Sequence, residues 1–167
     1  MRLYLVRHGK AGDRYEFAGD DLERPLSPAG RRQAQAIALQ LSGCDPVPAA
    51  LLTSPAVRCR QTLEPLSDRL GLSLETHAFL EEGADVAVAL ERLAARPEPA
   101  VAACSHGDVI WGVLEWLARS GVDLGERPDV QKGATWAVDL SGADMPRRAE
   151  YLPPPTVPSG RPSSPRR

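Results

Sequence analysis

The sequence predicts an α/β fold: a three-layer sandwich with a mostly parallel central sheet and helices on both faces. Three observations carry that prediction. Short apolar runs alternate with amphipathic segments of helical period along most of the 167 residues. The run "AVAACS" is apolar on both faces, as a strand covered by helices on each side must be. Serine-proline pairs open two of the helical segments, and glycines close them.

Residues 2–6 read as a buried strand, and residues 12–27, polar and broken by glycine and proline, as a loop. In "SPAGRRQAQAIALQLSG" Ser27 is the expected N-cap and Pro28 the first helical residue. Ala34, Ile37, Ala38 and Leu41 form the buried stripe, and Gly43 stops the helix. Residues 49–54 form a second strand. Ser54 and Pro55 repeat the capping signal for a second helix, with Cys59, Leu63, Leu66 and Leu70 inward and Gly71 as the stop. A strand over 72–80, a helix over 85–96, a strand over 100–105, a helix in "GDVIWGVLEWLARSG" and a strand over 134–140 complete the domain. The domain is placed at residues 1–150. Residues 151–167, rich in proline, serine and arginine, read as a disordered tail.

Composition narrows the function classes. A net charge of −2 gives no general attraction to nucleic acid, so anion binding must rest on local arginines. No apolar run approaches a membrane span, and "MRLYLV" is too short for the core of a signal peptide. The cysteines Cys44, Cys59 and Cys104 are odd in number and scattered, as expected of free thiols in a reducing cytoplasm. The three histidines and these cysteines lack metal-ligand spacing, so neither a metal nor another cofactor is expected.

Three strands end in chemistry: "Arg7-His8-Gly9" after the first, "Ser54-Pro55" with Arg58 after the second, and "Ser105-His106-Gly107" after the two-sided one. Ligands of parallel sheets bind beyond the carboxyl ends of the strands, so all three groups are expected at one edge. Two imidazoles, two guanidiniums and helix N-termini suit a tetrahedral, multiply charged anion. A neutral imidazole is a competent nucleophile toward phosphorus, and neighbouring arginines disfavour its protonation. A second imidazole can support the group in transfer. A carboxylate is then wanted for proton transfer, and "FLEEG" supplies Glu81 and Glu82 just past the third strand. Arg24, Ser27 and Lys132 are further residues that could touch substrate. Trp111, Trp116 and Trp136 are assigned to packing.

The stretches "LVRHGKA", "RPLSPAGRRQA", "SPAVRCRQT" and "CSHGDVI" resemble, in order and spacing, the four sequence blocks of the histidine phosphatase superfamily, branch 1, which includes the cofactor-dependent phosphoglycerate mutases. The lead-in "DDLERPLSPAG" looks most like the SixA-type phosphohistidine phosphatases. "KGATW" resembles the phosphatase domains fused to Nudix modules. The resemblance runs over about residues 1–140 and implies a phosphoglycerate mutase-like fold. Carried over by position, it implies His8 as the phospho-accepting nucleophile, Arg7 and Arg58 as the phosphoryl clamp, and His106 as its stabiliser in transfer. Glu82 is the preferred match to the family acid, with Glu81 the alternative; SixA-type members often lack this residue. Ser27 and Lys132 are the further substrate-binding candidates.

The expected function is therefore a metal-independent phosphohydrolase with a phosphohistidine intermediate. Its substrate is expected to be a protein phosphohistidine, in an open site without the insertions that cap mutases. A phosphatase of nucleotides or other small phosphate esters is the alternative. A phospholigand-binding module without turnover is the rival from another class. Neither nucleic acid nor membrane is expected as a partner.

Overall fold

The structure, a computed structural model, describes residues 1–125, 128–140 and 148–156. Its strands are β1 (Arg2–Arg7), β2 (Ala50–Thr53), β3 (Leu74–Thr76), β4 (Ala100–Ser105), β5 (Thr135–Asp139) and β6 (Arg148–Leu152). Its helices are α1 (Pro28–Ser42), α2 (Val57–Leu70), α3 (Val86–Ala94) and α4 (Gly107–Arg119). The sheet order is β3-β2-β4-β1-β5-β6. β3, β2, β4 and β1 run parallel, while β5 and β6 join antiparallel.

Strand alternation divides the core into two layers. Tyr4 and Val6 of β1 pack with Ile37 and Leu41 of α1 and with Cys59, Leu63 and Leu66 of α2. Leu3 and Leu5 point the other way, onto Ile110, Val113, Leu114 and Leu117 of α4 and Leu93 of α3. β4 is buried throughout, as its two-sided apolar composition requires. The helix following β1 thus covers one face and the helix following β4 the other. A crevice opens where these neighbouring strands send their chains apart.

The helix caps largely follow the sequence. Ser27 accepts from the Gly30 N–H, with Pro28 next to it at the start of α1. Gly71 ends α2 in the left-handed region, at φ 67°. The second serine-proline pair does otherwise. α2 begins at Val57 with Ala56 at its cap, and Ser54 turns its hydroxyl toward His106. The strand expected over 72–80 is reduced to Leu74–Thr76, followed by a single tight turn at Ala78–Leu80. β6 was not expected. "RAEYL" is an edge strand of mixed exposure and shows no clean alternation to read. It carries the sheet two residues past the domain boundary drawn at 150. Residues 157–167 of the expected tail lie outside the described residues.

Gly30 lets α1 lie directly on the chain leaving β1. A Cβ there would overlap the Lys10 carbonyl group. Gly30→Ala is expected to lower stability by about 3 kcal/mol, because backbone rather than a flexible side chain must yield. Urea unfolding at unchanged m-value measures the loss.

Candidate active site

The register of β1 on β4 sets the site. Arg7 stands opposite Ser105, so His8 and His106 leave neighbouring strands at the same level. Their rings lie 5.3 Å apart between centroids, with planes at 65°.

His8 is only 6% exposed. Its Nδ1 is 2.8 Å from the Gly9 carbonyl oxygen. A carbonyl can only accept, so Nδ1 carries the hydrogen and Nε2 keeps its lone pair. Burial pushes the imidazole pKa down to about 3, against the opposing effect of the Gly9 carbonyl; the neighbouring His106, Arg58 and Arg7 push the same way as burial. The neutrality expected from the arginines therefore has burial as its larger cause.

Arg58, 1% exposed, comes from the first turn of α2. Its Nη1 donates to the Asp21 carbonyl at 2.6 Å. Its Nη2 lies 3.1 Å from Asp21 Oδ2, 3.2 Å from Glu82 Oε2 and 3.4 Å from His106 Nδ1. A guanidinium only donates, so His106 accepts at Nδ1 and donates from Nε2 to Ser54 Oγ at 2.9 Å. Arg7 donates from Nη1 to the Val130 carbonyl. Gly107 makes room for it, since a Cβ there would stand 3.0 Å from the guanidinium carbon. Burial lowers the pKa of Arg7, against the pull of Asp108, Asp129 and Glu82. The Nε–H groups of both arginines are buried and find no acceptor among the described residues.

A supporting layer holds this set. The Thr62 hydroxyl accepts from the Gly9 N–H at 3.0 Å and donates to the Arg58 carbonyl at 2.7 Å. Gln33 accepts from the Lys10 N–H through Oε1 and donates from Nε2 to the Lys132 carbonyl. Asp21 receives Arg24 Nε at 2.8 Å and Arg14 Nη2 at 3.3 Å. The Arg24 hydrogen bond leads the causes that bring the Asp21 carboxyl down to about 2. Arg14 also donates to Glu82 Oε2 at 2.8 Å.

The structure brings together Arg7, His8, Arg58, His106, Glu82 and Lys132. Arg7, His8, His106, Glu82 and Lys132 line an open cleft of about 840 Å³, with Arg14, Arg24, Trp111 and Tyr15 further out. Lys132 has its pKa lowered by burial first and then by Arg7, Arg24, Arg14 and Arg58. Ser27 is a correction: its hydroxyl caps α1 and donates to the Lys10 carbonyl, and it does not line the cleft. Gly9 faces the Gly30 carbonyl and Gln33, so its lack of a side chain serves the approach of α1. Trp136 is buried as expected, but Trp111 and Trp116 are 43% and 42% exposed. Asp21, Arg14, Thr62 and Gln33 are residues around the site that sequence reasoning missed, and Ser54, expected at this edge as a cap, meets His106 instead. Only "DDLERP", with charges crowded in a loop before a capped helix, carried a signal for any of them. Among the described residues no group of three or more His, Cys, Asp or Glu side chains is placed to hold a metal ion, and no helix is long and apolar enough to cross a membrane.

Comparison with known proteins agrees with this geometry. Residues 3–86 match the model of the histidine phosphatase superfamily, branch 1. The chain is 38% identical over 159 residues to the 8-oxo-(d)GTP phosphatase of Mycolicibacterium smegmatis, covering 92% of this chain and 48% of that protein. It is 40% identical over 67 residues to an uncharacterised Picosynechococcus protein, covering 40% of each. The chain thus spans about half the length, or less, of these curated relatives. Among solved structures, the protein histidine phosphatase SixA complexed with tungstate superposes with a TM-score of 0.75 at 25% identity, covering 91% of this chain and 94% of that one. A mycobacterial glucosyl-3-phosphoglycerate phosphatase shares the fold at 16% identity, with a TM-score of 0.63 and coverage of 90% and 96%. With its mostly parallel sheet and paired strand-end histidines, the chain has the phosphoglycerate mutase-like fold of a phosphatase and belongs to the histidine phosphatase superfamily, branch 1.

Proposed function

We propose that this domain removes a terminal phosphoryl group from a nucleoside polyphosphate or a similar small phosphate ester, through a phosphohistidine formed on His8. The observation that carries the reading is the row of cations outside the histidine pair: Arg14, Arg24 and Lys132 on the walls of the same cleft. One phosphoryl group is already matched by Arg7 and Arg58, so further cations suit further phosphates. The 38% identical relative named for 8-oxo-(d)GTP supports the same class. The nucleotide reading therefore moves ahead of the protein phosphohistidine expected from sequence, which remains the second reading on the strength of the SixA likeness.

In the proposed reaction the His8 Nε2 lone pair attacks phosphorus and the bond to the leaving oxygen breaks. Arg7 and Arg58 donate to the equatorial oxygens, and their unmet Nε–H groups await acceptors. His106 lies beside the group in transfer. Glu82 serves as the general acid: in its carboxylic-acid form it gives a proton to the leaving oxygen and becomes the carboxylate. Water then attacks phosphorus, the Glu82 carboxylate takes its proton, the bond from phosphorus to His8 Nε2 breaks, and inorganic phosphate leaves.

Wild type and Glu82→Gln are to be assayed on GTP, 8-oxo-GTP and a phosphohistidine protein, with and without chelator. Wild type is expected to prefer the nucleotides. Glu82→Gln is expected to lose about 10²-fold or more on the nucleotides, whose leaving oxygen takes up the proton, and little on phosphohistidine, whose nitrogen leaves readily. A wild-type preference for phosphohistidine protein over every nucleotide would reverse the order of the two readings.

A further inference from the structure

Trp111 is a large aromatic side chain left 43% exposed on the wall of the catalytic cleft. It sits on α4 one turn beyond Gly107, so its Cα lies about 7.5 Å further along the helix axis than that of His106. Its Nε1–H donates to Glu115 Oε1 at 3.0 Å, one more turn along. That bond favours one orientation of the ring before anything binds, which lowers the entropy lost on contact with it. Val130 lines the cleft as well, and its carbonyl receives the Arg7 guanidinium. The apolar part of this cleft therefore abuts the phosphoryl clamp, while Arg14, Arg24 and Lys132 supply its charge. Tyr15, the other aromatic at the rim, is 95% exposed. Trp116, equally exposed on the same helix, belongs to a separate groove with Val86 and Leu90.

We propose that Trp111 is a specificity-determining residue, the platform on which a nucleobase stacks while the terminal phosphate lies between His8 and His106. The inference rests on the nucleotide reading above. A flat, half-exposed indole in a cleft that also holds Arg7, Arg14, Arg24 and Lys132, beside the carboxylates of Asp13, Glu82 and Asp108, matches a ligand with an aromatic ring at one end and phosphate charge at the other.

The test compares GTP with inorganic tripolyphosphate, which offers the same charge without a base. Base stacking on an aromatic side chain is worth about 1–3 kcal/mol, so Trp111→Ala is expected to raise KM for GTP about tenfold or more with kcat retained. Its kcat/KM for tripolyphosphate should stay within about twofold of wild type, which also shows that the variant is folded. Trp111→Phe should recover much of the GTP loss, since it keeps an aromatic face. Equal GTP kinetics in wild type and Trp111→Ala overturn the platform and leave the nucleotide reading standing. Equal losses on GTP and tripolyphosphate overturn it as well, because the residue would then serve the phosphates or the fold. Absence of nucleotide turnover by wild type overturns both.

Discussion

Replacing His8 with alanine is expected to cut kcat by at least about 10³-fold, since the Nε2 of the other imidazole in the cleft, His106, is held by Ser54. Rapid-quench labelling of wild type should trap phosphate that is acid-labile and base-stable, and His8→Ala should trap none. Full turnover by His8→Ala would remove the nucleophile assignment. The pH dependence carries a second signature. With a folded pKa of about 3, His8 stays unprotonated well below the usual histidine range, so the acid limb it imposes on kcat/KM lies near pH 3 rather than 6.5. The sign for stability is the reverse of a paired histidine. Above about pH 6.5 the ring is neutral in both folded and unfolded chains and contributes nothing to the pH dependence. Between 6.5 and 3 the unfolded chain binds a proton that the folded one refuses, so stability falls as pH drops, by up to about 5 kcal/mol. His8→Gln should flatten the stability curve over that window and leave it unchanged at pH 7–8. An unaltered slope would mean that the buried ring does titrate in the folded protein.

Arg58→Ala is the second large effect. The guanidinium is held from two sides, by the Asp21 carbonyl and by the carboxylates of Asp21 and Glu82. It is thus aimed before substrate arrives, and a preorganised donor stabilises developing charge without reorganisation. Its loss should lower kcat/KM by about 10²–10⁴-fold. Arg58→Lys should recover less than about tenfold of that, because an ammonium is a point charge and cannot span the same acceptors. Steady-state kinetics on GTP decide it, and near-wild-type activity in the lysine variant would show that only charge is needed. Stability should change less than activity, since Asp21 keeps Arg24 and Glu82 keeps Arg14.

The parts of this site legible in the sequence are those encoded next to one another. Arg7, His8 and His106 directly follow apolar strands, and Arg58 follows a strand end by a few residues, so strand polarity alone places them at one edge. Glu82 came within reach by the same logic after β3. Asp21, Thr62 and Gln33 were not legible, because their roles exist only after distant segments have docked. Ser54 and Ser27 carry the same serine-proline signal. One caps a helix and the other orients His106, a distinction set by the neighbour each meets. Trp111 reads as packing because exposure on an amphipathic helix depends on what covers it. β6 escaped because an edge strand needs no apolar alternation.

A single hydroxyl joins the loop that carries His8 to the helix that carries Arg58. Thr62 holds the Gly9 N–H with one hand and the Arg58 carbonyl with the other, across 53 positions of chain. Misplacement by about 1 Å can cost on the order of 10²-fold in rate, so this bridge sets the alignment on which phosphoryl transfer would depend. The strand bearing "RHG" is consequently not a portable part. Transplanted to another sheet it would deliver the histidine but not its spacing to the arginine. The smallest unit that could be moved intact is β1 together with α2 and its threonine.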